Sequence, residues 1–455
     1  MITNSVNRLL VVLLLLVLTG CASTARFPDN PALANVNSMP VERKANRQDN
    51  DILLAMTFSG GGSRASALAY GVLEELKHTP VSTNESHRLT DEIDLISSVS
   101  GGSITAAYYG LYGDKLFTDF RRDFLEQDIE SELTSKTFSP VTLSRLTSPT
   151  FGTGDVLDEF FSSKLFAGAS IDKLLDGDGP QVQINATDLF KGGSFGFTQE
   201  QFALICSDPA QFPISRAVAA SCAVPIIFSP VTMSNRAGSC GHVPPAWFYT
   251  ALLEDGSNPR RHQRARLLSA YLDQENHPYI HLLDGGLTDN LGLRALIDKL
   301  IEEDGMWNTL KRFEQHNVKH IAIIVVNAAS VTPSQWELQN TNPPDSAVID
   351  AATTIPLVNY NFETLEYFRQ NLPDWQREIV EGQCQDQAPC SDQPIYLIEV
   401  NLQDIADEAL RKELTQVPTG FTLPEGSAKK LITAGRTLLR QHPEFIRLIE
   451  NLAER

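Results

Sequence analysis

Residues 51–77 read DILLAMTFSGGGSRASALAYGVLEELK. An apolar run short enough for a buried strand ends in three consecutive glycines, Gly60, Gly61 and Gly62, and an alanine-rich stretch with helical spacing follows. Bare backbone at a strand-to-helix junction suits a tight turn, a phosphate cradle, or main-chain N–H groups aimed at developing negative charge. The unit recurs in kind: EIDLISSVS, residues 92–100, reads as a strand, and GGSITAAYYGLYG, residues 101–113, as the helix after it. Further strands are expected at QVQINATD (181–188), YIHLLDGG (279–286), HIAIIVVNAAS (320–330) and IYLIEVNL (395–402), with helical segments such as LRALIDKLIEE between them. Buried strands alternating with helices predict an α/β fold with a mostly parallel central sheet.

The second junction carries the stronger chemical signal. SSVSGGS sets Ser100 between Val99 and Gly101, with Ser98 and Gly102 two positions to either side. A nucleophile elbow needs small residues there, because a turn that holds a serine out of a strand brings those positions together. Ser98 stands where the strict G-x-S-x-G pattern has glycine. A serine hydroxyl also needs a base. His316, His320 and His442 follow Ser100 but lack a glycine-flanked strand-end setting, whereas Asp284 ends an apolar run and precedes Gly285 and Gly286. Nucleotide binding fits poorly: no lysine-serine or lysine-threonine pair follows the first glycines, and the dinucleotide spacing fails at Ala65.

Taken together, SGGGSR, SVSGG and DGG, with NATDL (185–189) and RAVAASCAVPIIFSPV (216–231) between them, resemble the patatin-like phospholipases over about residues 52–330. The resemblance implies a three-layer α/β/α sandwich and a Ser-Asp dyad, with Ser100 as nucleophile and Asp284 as general base. It makes Gly60, Gly61 and Gly62 the oxyanion hole and Arg64 a support for that loop. Ser59 stands where many members carry aspartate. The reaction implied is hydrolysis of a lipid carboxylic ester, in a phospholipid or lysophospholipid, with no metal or organic cofactor. A partly desolvated Asp284 with a raised pKa is expected, since an ordinary aspartate is a weak base at neutral pH. The alternatives are a Ser-His-Asp esterase and a non-catalytic outer-membrane scaffold with the same fold.

The 455-residue chain carries a formal net charge of -19, which excludes a nucleic-acid partner and disfavours an anionic membrane. Its N-terminus has Arg8, an apolar run from Leu9 to Leu18, and then Thr19, Gly20 and Cys21. That run is too short to span a bilayer. Leu18 to Cys21 resembles the lipobox of bacterial lipoproteins, which implies a signal peptide over 1–20, lipidation at Cys21, and a periplasm-facing outer-membrane location, since Ala22 is not aspartate. Residues 21–50 then read as the lipidated cysteine and a flexible tether, 51–330 as the catalytic domain, and 331–455 as a helix-rich extension packed on it. An oxidising compartment permits disulfides. Cys384 and Cys390 form the expected local bridge, while Cys206, Cys222 and Cys240 leave one thiol over. Residues 234–278 read as an insertion; Trp247, Phe248 and Tyr249 with Arg260, Arg261, Arg264 and Arg266 could meet lipid, but a partly packed surface loop is the preferred reading.

Overall fold

The computed structural model describes residues 25–39, 51–81, 87–175, 179–254, 256–330, 338–385 and 394–453. In chain order the elements that position the site are β1 (Ile52–Phe58), α1 (Gly62–Lys77), β2 (Ile93–Val99), α2 (Gly101–Tyr112), α3 (Thr153–Phe161), β3 (Gln181–Asp188), β4 (Ser194–Gly196), α4 (Ile214–Ser221) and β5 (Val231–Ser234). They continue with α5 (Ala246–Leu253), α6 (Pro259–Leu272), β6 (Tyr279–Asp284), α7 (Arg294–Glu302), α8 (Met306–Arg312), β7 (His320–Asn327), α9 (Asp345–Gln385), β8 (Ile395–Asn401), α10 (Ser427–Gln441) and α11 (Pro443–Ala453). All six strands expected from the sequence are present; the short β4 and β5 lacked the apolar length to be read beforehand.

The strands form one sheet in the order β5-β6-β3-β2-β1-β7-β8, with β4 added on β3. The run β3-β2-β1-β7-β8 is parallel, and β6 pairs antiparallel with both β3 and β5. Strands buried on both faces explain the unbroken apolar runs. Along β1, Leu54, Met56 and Phe58 enter the core under α1, α2 and α10, while Leu53 and Ala55 face the core under α7, α8 and α9. Along β7, Ala322, Ile324 and Val326 take the first side, and Ile321, Ile323 and Val325 the second. This is the expected three-layer α/β/α sandwich.

Because β1, β2 and β3 run in parallel, the loops after them gather at one edge of the sheet. The antiparallel β6 joins β3 only at that edge, pairing Asp284 with Ala186, so its last residue ends beside the loop that follows β2. The C-terminal region is integral to the sandwich: β8 pairs with β7 and α10 packs against α1, where Gly71 and Gly435 permit close contact.

One expectation changes, and one left open is resolved. Residues 25–39 are not a free tether: Leu33 is buried with Cys206 and Cys240, its N–H donates to the Cys206 carbonyl (2.9 Å), and Asn30 bonds Ser207 and Ser234. A buried leucine and paired backbone groups hold this segment down despite its polar composition. The odd thiol is Cys222, free and buried, because Cys206 and Cys240 form a disulfide. Cys384 is disulfide-bonded; its expected partner Cys390, like Cys21 and the apolar run before it, lies outside the described residues.

The insertion folds as α5 and α6. Phe248 packs on Ala251 and Ala265, Arg264 pairs with Glu302 (2.8 Å) and Asp298 (3.4 Å), and Arg260 stacks on Tyr367. These cations are engaged by the protein, which favours the packed-insertion reading over a lipid-facing one.

Candidate active site

Ser100 follows the last residue of β2 with φ 49° and ψ -125°, a conformation uncommon for a residue with a side chain. The turn is tight enough that a Cβ on Gly101 would collide with the Gly62 carbonyl. Ser98, still in β2, donates its hydroxyl to the Gln183 carbonyl of β3 (3.1 Å), and a Cβ on Gly102 would press on the carbonyls of Phe58 and Ser59. The sharp turn and the β1 loop are thus packed backbone to backbone.

Ser100 Oγ donates to Asp284 Oδ2 at 2.7 Å. Asp284 Oδ1 accepts the Gly286 N–H at 2.8 Å, and Gly285 lies so close to Asn185 that a Cβ would strike the Asn185 carbonyl. Both side chains are buried, with Ser100 at 6% and Asp284 at 8% exposure. Burial pushes the Asp284 carboxyl up to about 6, against the opposing pull of the bonds from Gly286 and Ser100. Among the described residues no histidine takes this place. His320 begins β7 at the opposite end of the sheet, His316 precedes it, and His442 Nε2 accepts the Glu399 N–H on β8.

The glycine loop lies against the same turn. Gly61 (φ 134°) and Gly62 (φ 59°) occupy backbone conformations closed to most side chains, and a Cβ on Gly62 would collide with Gly420. The Gly60 N–H donates to the Asn290 carbonyl at 2.9 Å. Through this bond Gly60 closes the loop onto the segment after Asp284. Among the described residues, the N–H groups of Gly61 and Gly62 have no acceptor. The loop is braced from behind. Ser59 Oγ accepts the Ala328 N–H and donates to the Gly60 carbonyl. Arg64 donates to the carbonyls of Ala328 and Val417 and to Thr419, and burial pulls its guanidinium down to about 10.

A sequence profile of the patatin-like phospholipases matches residues 56–297, just over half of the chain. The chain belongs to the patatin-like phospholipase family. No curated protein sequence matches this family member. Among solved structures it is similar to human GIVD cytosolic phospholipase A2, at 13% identity and TM-score 0.36 over 61% of this chain and 46% of that one. For the same human enzyme in complex with methyl gamma-linolenyl fluorophosphonate the values are 11% and 0.39, over 92% of this chain and 61% of that one. The chain thus spans about half to three-fifths of the length of these structures.

Several residues of this patatin-like site were given no role from the sequence. Ser221, the last residue of α4, accepts the Ser100 N–H (2.8 Å), donates to the Asn185 carbonyl (2.6 Å) and meets Ser103 Oγ (3.1 Å). Asn185 in turn donates to Ser97 Oγ and the Ser98 carbonyl, and Thr187 Oγ1 donates to the Asp284 carbonyl. The NATDL and RAVAAS stretches therefore tie the end of β2 to β3 and β6. Cys222 is buried against Ser100 and Asp284, and burial pushes its thiol well above the ordinary range, so it stays protonated. Asn290 is 5% exposed, and its Oδ1 lies 2.5 Å from where a Gly60 Cβ would sit, a point 3.3 Å from Ser100 Cβ. Among the described residues its carboxamide has no hydrogen-bond partner. Asn290 carried a signal, a polar side chain six residues past Asp284, but nothing in the sequence tied it to the glycine loop.

Proposed function

We propose that this chain is a serine acyl hydrolase acting on lipid carboxylic esters of the phospholipid or lysophospholipid class. The observation that carries this is the bond between Ser100 Oγ and Asp284 Oδ2 at 2.7 Å inside a family of phospholipases. Asp284 takes the Ser100 proton as Oγ attacks the acyl carbonyl carbon. The resulting oxyanion meets the N–H groups of Gly61 and Gly62, at the positive end of α1. Asp284 then passes the proton to the departing alcohol, leaving an acyl-serine. A water that gives its proton to Asp284 attacks the ester, and the proton returns to Ser100 as the fatty acid leaves. Asn290, with an unpartnered carboxamide beside Gly60, lines the space that the bound ester enters.

The same reading puts the chain at a bacterial outer membrane, facing the periplasm and anchored through lipidated Cys21. The Cys206–Cys240 disulfide supports an oxidising compartment.

The test is fluorophosphonate labelling and hydrolysis of phospholipid and short-chain esters by wild type, Ser100→Ala and Asp284→Asn. Labelling of wild type at Ser100 and its loss in Ser100→Ala, with hydrolysis collapsing in both variants, is expected. A fully active Asp284→Asn would return the base to a histidine, and a folded wild type that neither labels nor hydrolyses would favour a scaffold.

A further inference from the structure

The first half of α9 presents an apolar stripe to solvent. Val348, Ile355 and Phe362 recur at seven-residue intervals and are 53%, 58% and 62% exposed. Two helical turns separate each from the next, so they share one face. The opposite side of the same helix reaches the candidate site: Leu357 Cδ1 lies 3.4 Å from where a Cβ on Gly286 would sit, and Gly286 is the donor to Asp284 Oδ1. More apolar surface flanks the dyad. Leu287 follows Gly286 and is 40% exposed. Ile226 (77%) and Ile227 (64%) follow Ala223, whose carbonyl takes the Asp284 N–H. Ile226 also has φ 76°, a costly conformation for a β-branched residue.

We propose that this stripe, with the exposed residues beside Asp284, is the surface on which the protein docks to a zwitterionic lipid surface. The inference rests on the reading of Ser100 as a lipid-ester nucleophile. Three observations select this occupant. The helix bearing the stripe packs on the dyad's own glycine motif, so docking there brings lipid to the site. Ser100 and Asp284 are nearly buried, at 6% and 8% exposure, so an ester reaches them only from a surface held against this side of the molecule. Finally, the helix carries the acidic residues Asp345, Glu363 and Glu366 here and no lysine or arginine before Arg369, and the nearby cations are engaged: Arg369 pairs with Glu366 and Glu399, and Arg260 stacks on Tyr367. A surface that binds anionic lipid uses cations to do so. This one would be repelled, and it binds through apolar burial alone.

The test uses the chain from Ala22 onward throughout, so that neither the apolar run Leu9–Leu18 nor the proposed lipid on Cys21 contributes. Partition onto phosphatidylcholine vesicles is measured in a Ser100→Ala background, with and without Val348→Ser, Ile355→Ser and Phe362→Ser together. The triple substitution is expected to reduce partition by about tenfold or more, and added salt to leave the parent's partition unweakened. Parent partition onto phosphatidylglycerol vesicles is expected to be weaker. With Ser100 restored, the triple variant is expected to lose vesicle hydrolysis while hydrolysis of a soluble butyrate ester stays within about twofold. Unchanged vesicle partition would overturn the inference, as would stronger binding to phosphatidylglycerol or a parallel loss on the soluble ester. A parent that is dimeric by light scattering, with the triple variant monomeric and equally vesicle-bound, would reassign the stripe to contact between copies. Partition is read without Ser100, so its result decides the docking surface even if the intact chain hydrolyses no ester and the acyl-hydrolase reading fails.

Discussion

Ser100 Oγ and Asp284 Oδ2 lie 2.7 Å apart although 184 positions separate the two residues in the chain. In the proposed reaction Asp284 has to be ionised to accept the serine proton, and burial raises its pKa to about 6. Activity is therefore expected to rise with pH through about 6 and level off above it, in a pH–rate profile of kcat/KM. Asp284→Asn is expected to lose a factor on the order of 10² to 10⁴. Stability carries the opposite slope. The folded state holds this proton more tightly than the unfolded chain, so between the ordinary carboxylate range and about pH 6 stability falls as pH rises. Thermal unfolding across that interval should show a flatter profile for Asp284→Asn.

Gly62→Ala tests the glycine loop. The substitution places a Cβ at φ 59° and against the Gly420 carbonyl. The loop must shift, and loss of one oxyanion donor typically costs about 3 kcal/mol. We expect kcat to fall on the order of a hundredfold with fluorophosphonate labelling slowed in parallel.

Ser221→Ala leaves the Ser100 N–H and the Asn185 carbonyl without their shared partner. An unsatisfied buried group costs about 1–3 kcal/mol, so the unfolding temperature should drop measurably. The turn that presents Ser100 loosens, and kcat is expected to fall while KM changes little. An unchanged kcat in the folded variant would show that Ser221 supports stability only.

Asn290→Ala should give the reverse pattern. Its carboxamide holds no described residue, so removing it costs little in unfolding temperature. Its carboxamide lines the space the bound ester enters, so kcat/KM is expected to drop by about tenfold, the worth of one hydrogen bond.

The sheet's strands were legible because the central β1 and β7 are buried on both faces and read as apolar runs, while β3 and the edge strand β8 keep a buried residue at alternate positions. The elbow was legible because a strained turn admits only small neighbours, and Ser98, Gly101 and Gly102 record that constraint locally. The 41-residue α9 was not, since Pro356 and Pro373 interrupt its pattern and its exposed stripe breaks the usual polar outer face. Nor was the docking of residues 25–39, whose hold comes from one leucine, from Asn30 on Ser207 and Ser234, and from backbone bonds to Cys206 and Cys240.

The sequence by itself determined which residue types stand at strand ends: a serine in a small-residue turn, an aspartate before two glycines, and three glycines after β1. Those are local requirements of backbone sterics, written within a few positions of each other. The tertiary structure decided what they meet. Antiparallel insertion of β6 at the edge of a parallel sheet brings Asp284 to Ser100, the carbonyl of Asn290 turns Gly60 from a free donor into a fastening, and α4 delivers Ser221 to the back of the elbow. These pairings join segments far apart in the chain, and only strand order and layer packing fix which distant groups become neighbours.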